Sequence, residues 1–168
     1  NTGSHTPREE RIIAGFEATL RSLEKTGEIS HFDFFMLSDT TKLDIAQAER
    51  DAWQQLTERV GDLSQQIFYR RREKNIARKV GNLAEFCQRW GSNYEQMIVL
   101  DADSVMTGEC LLTLVRQMQA NPRVGLIQTV PIPVRQTTFF GRFVQFAAVL
   151  YSPMLATGLA FWQTDAAN

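Results

Sequence analysis

Short apolar runs alternate with longer amphipathic stretches through most of this sequence, and few folds accommodate that alternation. The runs at 31–37, 66–69, 97–100 and 124–130 have the length and composition of strands. Between them, apolar residues recur every three or four positions. Ile12, Ile13, Phe16, Leu20 and Leu23 mark one helical face, and Ile45, Ala48, Ala52 and Leu56 a second. Leu83, Phe86, Cys87 and Trp90 mark a third, and Leu111, Leu112, Leu114, Val115 and Met118 a fourth. Punctuation agrees with the pattern. Thr6-Pro7-Arg8-Glu9 has a capping Thr, a Pro at the first helical position and a Glu three residues after the cap. Gly27, Gly61, Gly91 and Asn121-Pro122 stand where the helices should stop. Strand–helix alternation of this kind predicts an α/β domain, doubly wound, with a mainly parallel sheet and flanking helices.

Bulk properties remove several function classes. At 168 residues the chain is long enough for one domain with a sizeable core. A net charge of −1 supplies no long-range attraction to nucleic acid, so no nucleic-acid partner is expected. Cys87 and Cys110 lack the paired spacing of a disulfide framework or a zinc site, and His5 and His31 are too far apart for a His-based metal site. No secretory signal starts the chain. Residues 1–5 resemble a loop entered midway or a vector-derived scar, and 163–168 stop without helix-ending or strand-ending logic. A segment of something longer is therefore expected. The stretch 139–162 is rich in aromatics, but Arg142, Gln145 and Ser152-Pro153 interrupt it, so it does not read as a spanning helix. It reads as an amphipathic helix under the sheet, or as one facing a partner or a membrane surface.

The chemistry concentrates where strands should end. Ligands of open α/β sheets bind just beyond the carboxyl ends of the strands. Asp39 follows one such run, a basic segment from Arg70 to Asn82 follows the next, and Asp101 and Asp103 follow the third. Each has an ordinary reading: Asp39 and Asp101 as caps or turn residues, Asp103 and the basic run as solvated charge. Each also has a functional one. Two carboxylates one residue apart suit a hard divalent cation bridging phosphate oxygens. Lys79, just before Gly81 and Asn82, suits a loop whose backbone approaches a diphosphate. Together they would line one rim and hold a nucleoside diphosphate with a magnesium-type ion. No Walker A loop, nucleophile elbow or dinucleotide fingerprint is present.

Ser38-Asp39-Thr40, Lys79-Val80-Gly81-Asn82 and Val99-Leu100-Asp101-Ala102-Asp103-Ser104 occur in this order in family 2 glycosyltransferases with the GT-A fold. The runs Tyr69-Arg70-Arg71-Arg72, Phe86-Cys87-Gln88-Arg89-Trp90-Gly91-Ser92, 99–108 and 158–163 narrow the resemblance. They are similar to the glucans biosynthesis glucosyltransferase H family, bacterial inner-membrane enzymes of osmoregulated periplasmic glucan synthesis. The resemblance covers about residues 11–163.

It implies a Rossmann-like, nucleotide-sugar-binding domain and an inverting transfer of glucose from UDP-glucose to a growing β-glucan acceptor. Asp39 would contact the uridine end. Lys79, with Gly81 and Asn82 shaping its loop, would lie near the phosphates. Asp103 would ligate Mg or Mn, with Asp101 beside it near the sugar and nucleotide. The family's catalytic base and its Gln-x-x-Arg-Trp motif would lie beyond Asn168, and its first strand before Asn1. The chain alone is then expected to transfer no sugar, and the runs at 32–37 and 97–100 to carry unpaired edges. Asp165 does not match the base motif. Residues 1–10 match poorly, 11–134 form the expected binding core, and 135–168 the aromatic tail. The resemblance further implies an inner-membrane location with this domain on the cytoplasmic side. A cellulose-synthase-like transferase, or a non-catalytic nucleotide-sugar-binding or assembly module, would share these features.

Overall fold

The computed structural model describes residues 7–129, 138–147, 149 and 151. Two compact units make up the chain, 1–122 and 123–168.

In the first unit the order is α1 (Pro7–Glu24), β1 (Phe34–Ser38), α2 (Leu43–Val60), β2 (Ile67–Arg71), α3 (Arg78–Trp90) and α4 (Gly108–Ala120). β1 and β2 pair in parallel, in a register that sets Phe34 against Ile67 and Ser38 against Arg71. A parallel pair needs a crossover, and α2 supplies it. The α/β class and the parallel pairing expected from the sequence are therefore present.

Alternation along β1 sends its side chains to two faces. Phe34 and Met36 meet a core made by Ile13 and Leu20 of α1, Ala52, Leu56 and Val60 of α2, and Ile67 of β2. Beside it, Leu23 of α1 packs with Leu111 and Leu112 of α4, joined by Phe32, Phe34 and Ile98. Leu20, Leu23, Leu56 and Ile67 are essentially fully buried, each removing apolar area worth roughly 1.5–3 kcal/mol. On the other face Phe35 stacks on Phe68 at 4.9 Å and meets Phe86 of α3 edge-on at 4.7 Å. Helices thus cover both faces of the pair. α4 begins hard against α1: the Gly108 amide donates to Ser22 Oγ at 2.9 Å. A Cβ on Gly108 would lie 2.5 Å from the Ser22 carbonyl oxygen, so only glycine fits there.

Four expectations need correction. The strand expected over 31–37 begins at Phe34, because Ile29–His31 closes a 3-10 turn first. Residues 97–100 form no strand. An apolar run becomes a strand only when a neighbouring backbone pairs with it, and among the described residues β1 pairs with β2 alone. Ile98 packs inward while Met97, Val99 and Leu100 are exposed. Among the described residues β1 therefore has one unpaired edge, whereas 97–100, forming no strand, has no strand edge to leave unpaired. Residues 124–129 likewise carry no ladder, with Val124 and Leu126 exposed. Finally, 78–82 is not a loop but the opening turns of α3.

In the second unit, 139–147 is helical and exposes Phe139, Phe140, Phe143 and Phe146. Among the described residues no helix is long and apolar enough to cross a membrane. Thr6, Val130, the 158–163 run and Asp165 lie outside the described residues.

Candidate functional site

Asp39 follows the last residue of β1 and Arg72 follows the last residue of β2, so the parallel register sets them side by side. Arg72 Nε and Nη2 donate to the two Asp39 carboxylate oxygens at 2.8 and 2.9 Å. The Arg72 side chain is 8% exposed and that of Asp39 21%, so this bidentate pair is largely withdrawn from water. Charge-assisted bonds of that geometry are about twice as strong as neutral ones. Arg72 Nη2 also donates to the Arg78 carbonyl at 3.1 Å, and Asn75 Nδ2 donates to the Asp39 carbonyl at 3.1 Å. A carboxylate offers about four lone-pair positions, so Asp39 retains acceptor capacity beyond Arg72.

The residue before Asp39 is fastened from both faces of the sheet. The Ser38 carbonyl accepts from the Arg72 amide at 3.2 Å and from Asn82 Nδ2 at 3.4 Å. Ser38 Oγ donates to Glu49 Oε2 at 2.5 Å and accepts from the Thr40 amide at 3.3 Å. Tyr69 Oη donates to the same Glu49 oxygen at 3.0 Å. Partial burial, then the Glu49 charge and hydrogen bond, hold the Tyr69 phenol above its usual range, against smaller lowering effects of Ser38 and Arg71.

Asn82 lies in a helix rather than a loop. It is buried in the first turns of α3, where its Oδ1 accepts from Arg70 Nη1 at 2.8 Å, and it ties that helix to the end of β1. Gly81 has a packing reason as well. A Cβ there would meet the Ile76 carbonyl oxygen at 2.1 Å and Arg72 Nη1 at 3.0 Å. The start of α3 places its cap Ala77 and first residue Arg78 at φ 56 and 47, a left-handed conformation costly for residues with a Cβ. This conformation brings the Arg78 carbonyl onto Arg72.

Lys79, one residue on, points outward and pairs with Asp101. Both are well exposed, at 61% and 66%. Asp101 and Asp103 sit on an irregular segment, with the Ser104 amide closing a turn onto the Asp101 carbonyl at 2.9 Å. Asp103 is exposed and makes no ion pair among the described residues. The structure thus links Asp39 to Lys79 through Arg72 and the Arg78 backbone, and Lys79 to Asp101, with Asp103 one residue beyond Ala102.

Residues 14–164 match glycosyl transferase family 2. The chain belongs to that family. Among curated proteins it is similar to the glucans biosynthesis glucosyltransferase H of Dickeya dadantii (strain 3937), 51% identical over 154 residues. That alignment covers 92% of this chain and 18% of the relative. The enzyme of the same name from Cupriavidus pinatubonensis is 50% identical over 153 residues, covering 91% of this chain and 18% of its own length. This family 2 chain therefore spans about a fifth of the curated relatives it matches. No solved structure matches it.

Two contributions to this candidate site are hard to see in the sequence. Arg72 looked like one charge in a solvated run, yet it is the buried partner of Asp39. The signal was the register: two parallel strands ending at one level bring the next residues together, here opposite charges. Glu49 gave no signal, since its role depends on which α2 face meets Ser38 and Tyr69.

The donor set at Asp101 and Asp103 fits a hard cation. Among the described residues no cluster of three or more His, Cys, Asp or Glu is arranged to hold a metal. An ion there would take most of its oxygens from phosphate and water, which is how Mg is usually held beside one or two carboxylates.

Proposed function

We propose that this chain is the donor-binding part of an inverting glucosyltransferase that uses UDP-glucose to extend a periplasmic β-glucan. The observation that carries the reading is the Asp39–Arg72 pair bonded to the Arg78 carbonyl, with the Lys79–Asp101 pair one residue on, in a chain about half identical to glucosyltransferases named for glucan biosynthesis. Asp39 would receive a uridine N–H or hydroxyl on its free lone pairs, while Arg72 fixes the plane of its carboxylate. Lys79 would approach the diphosphate and hold its negative charge. Asp101 and Asp103 would hold Mg or Mn, which when bound offsets charge on the departing nucleotide. Gly81 and Asn82 act indirectly, by seating α3 so that Lys79 reaches the rim. The acceptor would be the growing glucan, and the location the inner membrane, with this domain on its cytoplasmic side.

Calorimetry tests the reading. UDP and UDP-glucose are titrated into the wild type and Asp103→Ala, with and without Mg or Mn. The expected result is metal-dependent binding weakened by about tenfold or more in the variant, the scale of losing one charged ligand. Binding that ignores both the metal and the substitution would sink the assignment of Asp103.

A further inference from the structure

We propose that Glu49, on the far side of the sheet end from Arg72, is a positioning residue for the nucleoside end of this site. It rests on the reading above, in which Asp39 meets uridine. The argument begins with the proton on Ser38. A serine hydroxyl has one proton to donate and lone pairs to accept. By taking that proton at 2.5 Å, Glu49 Oε2 turns the lone pairs of Ser38 Oγ toward the Thr40 amide, 3.3 Å away. That bond from residue i+2 is a serine turn, and it closes around Asp39. Thr40 repeats the device, its Oγ1 accepting from the Lys42 amide at 3.3 Å.

Glu49 is well suited to hold this state. It makes no ion pair among the described residues, and the same oxygen also accepts from Tyr69 Oη at 3.0 Å. One carboxylate oxygen thus accepts from hydroxyls on two neighbouring strands. The two strand ends are therefore fastened together by Glu49 on one face and by Arg72 and Asn82 on the other. Arg72 sets the plane of the Asp39 carboxylate, and Glu49 sets the backbone from which it hangs. Without Glu49 the Ser38 hydroxyl rotates freely, the turn loosens, and Asp39 meets a nucleoside over a spread of orientations.

Three probes separate positioning from simple stability: uridine, UDP with Mn, and pyrophosphate with Mn. In Glu49→Leu, uridine and UDP affinity should fall about tenfold, the scale of one or two lost hydrogen bonds. Pyrophosphate should bind as in wild type, because Lys79 and the acid pair are untouched. Glu49→Gln keeps an acceptor oxygen and should recover affinity to within about threefold of wild type. It should also move the Tyr69 phenol back toward its usual range in an ultraviolet titration, marking loss of the neighbouring charge. Equal losses for uridine and pyrophosphate, or none for either in a folded Glu49→Leu chain, would overturn the proposal. If Glu49→Leu fails to fold, Ser38→Ala removes the same relay and must show the same split. If the wild type binds neither uridine nor UDP, the donor reading falls and this one with it. If the wild type binds and Glu49→Leu binds equally, only the positioning role falls.

Discussion

The two acidic ends of the candidate site are built in opposite ways. Asp39 sits where two paired strands end, its carboxylate clamped by an arginine that is 8% exposed. Asp101 and Asp103 sit on an irregular exposed segment where, among the described residues, the one ion pair joins Lys79 to Asp101. A clamped group offers a fixed hydrogen-bonding geometry, which suits the edge of a planar base. An exposed pair on a turn can rearrange its oxygens, which suits a hydrated ion whose remaining ligands arrive with the substrate. Rigidity here follows strand pairing rather than charge.

The sharpest way to break this contrast is to remove Arg72. Arg72→Ala leaves the Asp39 carboxylate without its buried cation, and should cost about 3–5 kcal/mol in urea denaturation. Lys79→Ala removes an equally charged partner from an exposed pair and should cost no more than about 1 kcal/mol. Adding Asp39→Ala to Arg72→Ala should recover part of the loss, because no uncompensated buried carboxylate then remains at Asp39. Equal costs for Arg72→Ala and Lys79→Ala would mean the two ends are not built differently.

A smaller effect probes how α3 joins the two ends. Gly81→Ala drives a methyl toward the Ile76 carbonyl oxygen, 2.1 Å away, and that oxygen is backbone with little freedom to yield. Overpacking of this kind costs about 1–3 kcal/mol and should shift α3 away from Arg72, weakening UDP binding as well. Gly125→Ala, where nothing lies within 4 Å of the added carbon, should stay within about 0.5 kcal/mol. A neutral Gly81→Ala would show that the helix start can slide freely, against the close packing described here.

These contrasts also explain what the sequence disclosed and what it hid. Helical periodicity placed α2 and α4 well, because 3.6-residue spacing and stops such as Gly61 and Asn121 are local properties. Asp39 was legible because it follows an apolar run directly. Residues 97–100 were read as a buried strand on composition alone, but strand formation depends on a partner backbone that no local pattern encodes. In the sequence Gly81 and Asn82 read as a loop whose backbone can approach a ligand. In fact the glycine is small because Arg72 and Ile76 crowd it, and the asparagine is buried against Ser38 and Arg70. Both are tertiary reasons. The buried Arg72 and the Glu49 relay belong to the same class, visible only once the strands have a register.

The smallest expected effect lies at the contact where the irregular segment meets β1. Tyr94 Oη donates to Asp33 Oδ2 at 2.7 Å, just ahead of the strand, and its ring meets Phe35 edge-on at 5.8 Å. Partial burial and the bond to Asp33 push the Tyr94 phenol up to about 12. In the unfolded chain a tyrosine loses its proton near 10. Between those values the unfolded chain binds fewer protons than the folded one, so stability must fall as pH rises. The contribution is complete below about pH 10 and lost on passing through about 12. Tyr69 is shifted in the same direction, so the informative measurement compares Tyr94→Phe with wild type across that window. The variant should lose about 0.5–1 kcal/mol at neutral pH, the worth of one partly exposed hydrogen bond. Its stability should then decline less steeply above pH 10. A parallel decline in both proteins would show that Tyr94 does not tie the irregular segment to β1, leaving the packing of Ile98 to hold it there.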